Sequence, residues 1–110
     1  MDMSVNTREQ DGVVIVALEG EIDLQRSPAV RKMLMELMFD SRDVVVDLSG
    51  VAYIDSSGVA SLVEAYQMAR KNGTRFVLAA ISAPAMRVLQ LARLDKVFAM
   101  ADTVEAGLAV

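Results

Sequence analysis

The sequence predicts an α/β domain: a small, mainly parallel β-sheet with an antiparallel N-terminal edge strand and about four helices. Three observations lead there. An alternating segment, residues 3–8, is joined by Asp11-Gly12 to an unbroken apolar run, residues 13–18, which makes a hairpin. Beyond it, helical and strand patterns alternate, which requires parallel strands joined by right-handed crossovers. The whole pattern fits in 110 residues without an internal repeat, a linker or a low-complexity segment, so one domain spanning 1–110 is expected.

Taken in order, Met3, Val5 and Thr7 alternate with Ser4, Asn6 and Arg8, the period of a half-exposed edge strand. Asp11-Gly12 supplies the positive φ angles of a tight turn. Val13-Val14-Ile15-Val16-Ala17-Leu18 has the continuous apolarity of a strand covered on both faces. Glu19-Gly20-Glu21-Ile22-Asp23-Leu24 reads as a loop. Ser27-Pro28 reads as a helix start with serine as N-cap, and Val30, Leu34, Leu37 and Met38 form the apolar stripe of that helix. It ends near Phe39-Asp40-Ser41, ahead of a second buried strand at residues 44–48.

The helix after Ser57 carries Val59, Leu62, Val63 and Tyr66 on one face. Arg70 and Lys71 complement its C-terminal dipole, and Asn72-Gly73 stops it. Residues 75–80 form the next strand. Ser82-Ala83-Pro84 opens a third helix whose inward face is Ala85, Val88, Leu89 and Ala92. A short strand follows at residues 97–100. Asp102 then reads as the N-cap of a last short helix, with Glu105 three residues on.

Composition narrows the function. Eleven basic against fifteen acidic residues give a net charge of −4, the wrong sign for a nucleic-acid partner. No polybasic segment suits an anionic membrane surface, and no apolar run approaches the ~20 residues of a membrane span. With no signal-peptide pattern either, a cytoplasmic protein without membrane insertion is expected. The chain has no cysteine and no histidine, which removes thiolate chemistry, the commonest general base and the commonest metal ligand. Asp23 and Asp55 as an acid/base or metal pair would lack any third ligand, and no Gly-x-x-x-x-Gly-Lys-Ser/Thr loop is present. Neither an enzyme nor a cofactor is expected. Of eight methionines, Met38 reads as core, whereas Met33, Met35 and Met68 fall partly off the buried stripes, where they could adapt to a partner.

The residues that invite a function lie between strand and helix. In a parallel sheet, sites gather outside the carboxyl ends of the strands, which places Asp23, Asp55, Ser56, Ser57 and Ser82 on one rim. Asp55-Ser56-Ser57-Gly58 hands a strand over to a helix, where unpaired N–H groups and the positive end of the dipole collect. The simpler reading is an N-cap, worth about 1 kcal/mol. The other is a phosphorylated serine, which adds a charge of about −1.5 to −2. The helix dipole would favour that charge by about 0.3–1 kcal/mol, while a bound partner would be repelled. The residues alone leave both open.

Three blocks carry a resemblance over essentially the whole chain: Leu18-Glu19-Gly20-Glu21-Ile22-Asp23; Val46-Asp47-Leu48-Ser49-Gly50-Val51 leading to Ile54-Asp55-Ser56-Ser57-Gly58; and Val88-Leu89 through Leu94-Asp95-Lys96-Val97-Phe98. They resemble the anti-sigma factor antagonists of the STAS domain superfamily, the middle block most specifically. The resemblance implies a STAS-like fold and a partner switch that is not itself an enzyme. Ser57 would be the phosphoacceptor, and Asp23, Asp55, Ser56 and Gly58 its setting and partner-binding surface. The implied partners are a protein that is both serine kinase and anti-sigma factor, bound by the unphosphorylated form, and a PP2C-type serine phosphatase that resets the switch. STAS domains also serve, without phosphorylation, as interaction subunits of lipid or anion transporters and as signalling scaffolds, which is the alternative expectation.

Overall fold

In a computed structural model, which describes residues 3–110, β1 (Met3–Gln10) and β2 (Val13–Ile22) form the hairpin, with Met3 opposite Gly20 and Gln10 opposite Val13. Asp11 and Gly12 turn the chain with φ angles of 55° and 79°. The remaining elements are α1 (Ser27–Phe39), β3 (Asp43–Ile54), α2 (Ser56–Asn72), β4 (Phe76–Ala79), α3 (Ala83–Leu91), β5 (Ala99–Ala101) and α4 (Val104–Leu108). The strands lie in the order β1-β2-β3-β4-β5, antiparallel only between β1 and β2. The mixed five-stranded sheet is the one that the hairpin and the alternating pattern predict.

The apolar runs are continuous because both faces of the sheet are covered. Val14, Val16 and Leu18, Val44, Val46 and Leu48, and Phe76 and Leu78 point into one core with the inner faces of α1, α2 and α3. Val13, Ile15, Val45, Val77 and Ala79 point the other way and meet Val104 of α4. Tyr66 of α2 is core as read, its ring edge-on to Phe98 at 5.2 Å between centroids. Met38 is fully buried; Met33 and Met68 pack against the core margin, and Met35 and Met68 line a shallow groove between α1 and α2. The helix stop at Asn72-Gly73 is as read, with Gly73 in the left-handed conformation at φ 73°.

Five local readings need correction. Residues 19–22 are strand, not loop: β2 and β3 stay paired as far as Ile22 and Ile54, across register shifts at Ala17/Glu19 and Gly20/Glu21. Polar Glu-Gly-Glu hides a strand paired with β3 about thirty residues away and, at Glu19 and Gly20, with the start of β1 as well. Ser27 is not the N-cap of α1. It lies inside the first turn, 5% exposed, behind Arg26 as N-cap, and the Asp23 carboxylate takes the neighbouring amides instead. Ala92 is exposed, because α3 stops at Leu91 and the inward periodicity stops with it. The last strand starts at Ala99, Phe98 being drawn into the core below it.

The fifth concerns α4. Its N-cap is Thr103, in extended conformation, whose hydroxyl accepts from the Ala106 amide at 3.0 Å. Asp102 belongs to the bend leaving β5. Thr103→Ala is therefore expected to lower stability in urea unfolding by about 1 kcal/mol, whereas Asp102→Ala should stay within about 0.5 kcal/mol of the parent. The reverse order would restore Asp102 as the cap.

Candidate functional site

The strand-to-helix handover is built on Asp55. Ile54 ends β3 as a buried residue, and the Asp55 amide carries the pairing one step further by donating to the Ile22 carbonyl at 3.2 Å. Asp55 stays extended (φ −106°, ψ −173°), and its carbonyl accepts the first helical bond, from the Val59 amide at 3.0 Å. One carboxylate oxygen, Oδ1, accepts three hydrogen bonds: from the Ser57 amide at 3.0 Å, the Gly58 amide at 3.2 Å and the Ser57 hydroxyl at 2.5 Å. The N-cap is thus the aspartate, and neither serine is needed for it.

Those contacts set the electrostatics. The Ser57 hydroxyl holds the Asp55 carboxyl below its usual range; partial burial pushes the other way, and amides of Gly58, Ser57 and Leu24 add to the lowering. Asp55 is accordingly ionised at neutral pH, and its charge already occupies the positive end of α2. A phosphate arriving on Ser57 would meet that carboxylate, so the favourable dipole term expected from sequence is offset here by like charge.

Around this centre the other residues have distinct tasks. Ser56 is exposed in the first turn, and Ser57 is half-buried. Gly58 is buried against β2: a β-carbon there would lie 2.7 Å from Ile54 Cγ1 and 2.8 Å from Ile22 Cγ2, so the helix approaches the sheet only because glycine stands at this position. Asp23 occupies the same rim. Its Oδ1 accepts from the amides of Gln25 and Arg26, each at 3.1 Å, and its Oδ2 pairs with Arg26 at 2.6 Å. Ser82 also lies at the carboxyl edge of the sheet, but its hydroxyl donates to the Val51 carbonyl at 2.7 Å and caps α3 through the Ala85 amide. It ties α3 to β3, and its bonds do not lead to Ser57.

Sequence reading missed three participants. Ser61 bridges the main-chain oxygens of Ser27 and Ser57, at 3.4 and 3.1 Å, and so pins α1 to α2. Its position four residues after Ser57 was the available signal. Arg26, three residues after Asp23, is the second. The third is an exposed apolar pair, Leu24 at 74% and Tyr53 at 49%, next in the chain to Asp23 and one residue before Ile54. Nothing in a single sequence separates such residues from core. Among the described residues no group of three or more His, Cys, Asp or Glu could hold a metal ion, and no helix is long and apolar enough to cross a membrane.

At this edge of the sheet the Asp55 carboxylate caps α2, the Asp23 carboxylate holds the turn before α1, and the Ser57 hydroxyl lies half-buried between strand and helix. Comparison with known proteins supplies the class, that of regulatory binding proteins. The chain belongs to the STAS domain family, whose model matches residues 4–107, and within it to the anti-sigma factor antagonists. It is 26% identical over 107 residues to the anti-sigma-B factor antagonist of Bacillus subtilis, covering 97% of this chain and 98% of that protein. To the anti-sigma F factor antagonist of Paenibacillus polymyxa it is 26% identical over 104 residues, covering 93% and 89%. The crystal structure of an anti-sigma factor antagonist from Mycobacterium paratuberculosis superposes with a TM-score of 0.89 at 30% identity, over 98% of this chain and 92% of that one.

The capping geometry makes a pH-dependent prediction. The folded-state pKa of Asp55 is depressed, so its contribution is fully present above the unfolded value of 3.8 and is lost as pH falls through the folded value. Asp55→Ala should destabilise by about 1 kcal/mol at pH 7. The gap between parent and variant should close as the pH is taken below the usual carboxylate range. A gap that widens in acid would mean that the charge does not stabilise the cap. Gly58→Ala should cost roughly 1–3 kcal/mol at any pH, measured in the same unfolding experiments.

Proposed function

We propose that this chain is a partner-switching anti-sigma factor antagonist in the cytoplasm, acting as a single domain and controlled at Ser57. The observation that carries the reading is the Ser57 hydroxyl: half-buried at the start of α2, on the rim, and hydrogen-bonded at 2.5 Å to a carboxylate held ionised. Unphosphorylated, the rim formed by Asp23, Asp55, Ser56, Ser57 and Gly58 docks a protein that is both serine kinase and anti-sigma factor, and the sigma factor is released. In phosphorylation the Ser57 Oγ attacks the γ-phosphorus of ATP bound to the kinase. The bond to ADP breaks, and the hydroxyl proton passes to a base on the kinase or to water. A PP2C-type serine phosphatase reverses the modification by hydrolysis.

Electrostatics supplies the release. One unit of like charge held about 4 Å away costs about 4 kcal/mol at an effective dielectric near 20, which is roughly a thousandfold in affinity. The domain itself stays folded, since the Asp55 cap keeps both amide bonds and the phosphate can turn toward solvent. Leu24 and Tyr53, exposed beside the rim, supply the apolar anchors that a charged rim lacks.

Incubation with ATP and a kinase-type anti-sigma factor should add one phosphoryl group to the intact mass. Ser57→Ala should abolish the gain, while Ser56→Ala should retain it. Ser57→Asp should stay within about 1 kcal/mol of the parent in stability yet lose at least tenfold in kinase binding. No gain of mass in the parent chain would point instead to an unphosphorylated STAS interaction subunit of a transporter or scaffold.

A further inference from the structure

The helices do not all return to the same face of the sheet. α1, α2 and α3 pack into the core that holds Leu34, Leu62 and Leu89, whereas α4 packs through Val104 on the opposite face. α3 follows β4 and α4 follows β5, and these two strands are parallel neighbours. Among the described residues they are the one parallel pair whose following helices part to opposite faces. In an open α/β sheet, ligands bind at such a place, in the crevice outside the carboxyl ends of the two strands.

A cavity of about 530 Å³ lies at that point, a volume typical of small-molecule sites. Its apolar wall combines Ile81 and Met100, from the margin of the first core, with Met86 of α3, Ala101 from the margin of the second core, and Ala106 of α4. Ala80, which also lines it, has φ 51°, a left-handed conformation that an alanine holds only under constraint. The Ala80 amide donates to the Ala101 carbonyl at 3.0 Å and ties the two strand ends together. Backbone strain of this kind gathers at ligand sites. The charge of the lining is one-sided. Asp102 is its single ionisable side chain, and among the described residues no hydrogen bond or ion pair occupies that carboxylate. No lysine or arginine lines the cavity, and the chain carries a net charge of −4, so a phosphate or carboxylate ligand would meet only repulsion.

We propose that this crevice binds a small organic cation, an ammonium group on an apolar body. The body lies against Ile81, Met86 and Met100, and the ammonium meets the free carboxylate of Asp102. The two methionines adapt to bodies of different shape. The crevice shares no residue with the Ser57 rim and needs no phosphorylation to be occupied.

Amide NMR of the whole chain, titrated with hexylammonium, 1-hexanol and hexanoate, tests this with one apolar body and three head groups. Hexylammonium should saturate with a midpoint at or below about 10 mM, moving the amides of Ile81, Ala101 and Asp102 most. It should bind about fivefold tighter than hexanol, the gain from one unlike charge about 4 Å away in water-exposed surroundings. Hexanoate should bind weakest of the three. Asp102→Asn should erase the preference for the ammonium and leave hexanol binding unchanged. Ala106→Phe, which fills the crevice, should remove saturable binding of both. Absence of saturation in the parent chain, shifts centred on other residues, or equal midpoints for ammonium and alcohol would each overturn the proposal. So would an Asp102→Asn variant that keeps the preference. Circular dichroism checks each fold; if Ala106→Phe does not fold, the parent chain and Asp102→Asn decide the matter.

Discussion

The rest of the site depends on one carboxylate oxygen with three donors. Asp55 Oδ1 ends the strand, starts the helix and holds the Ser57 hydroxyl. An oxygen so occupied orients Ser57 within hydrogen-bonding reach while leaving the serine half exposed. The same oxygen answers the question that the Asp-Ser-Ser-Gly turn poses. A helix needs one cap, the aspartate supplies it, and the hydroxyl of Ser57, which donates to that aspartate, is not itself required as a cap.

The surroundings translate that arrangement into a surface. The β2–β3 pairing runs past the apolar part of both strands, so Ile22 and Ile54 arrive together and Asp23 and Asp55 leave the sheet side by side. Gly58 lets α2 sit against Ile22 without a clash, and Ser61 joins the starts of α1 and α2. None of these contacts is large in energy. Together they set Asp23, Asp55 and Ser57 at the same edge of the sheet.

A domain built this way separates folding from signalling. Its stability lies mainly in the two cores on either side of the sheet, and the cap adds roughly the 1 kcal/mol typical of its kind. On the proposed reading, a modification at Ser57 would act mainly on what approaches the rim. That is the property required of a switch whose readout is a change of partner.

Much of this was legible in the residues. A continuous apolar run at 13–18 and a second at 44–48, broken only by Asp47, reported a sheet covered on both faces, Asp11-Gly12 a hairpin, and strand–helix alternation a parallel order, because periodicity and turn chemistry are local properties. The rim membership of Asp23, Asp55, Ser56 and Ser57 followed from topology alone. What the sequence could not show depends on contacts between distant residues. The strand character of residues 19–22 comes from β3, the choice of Asp55 over a serine as cap comes from the extended backbone that β2 imposes, and the assignment of Ser82 to α3 packing comes from the Val51 carbonyl. Likewise only the folded chain sets the Ser61 hydroxyl against the Ser27 carbonyl, since residues 34 apart share no local pattern.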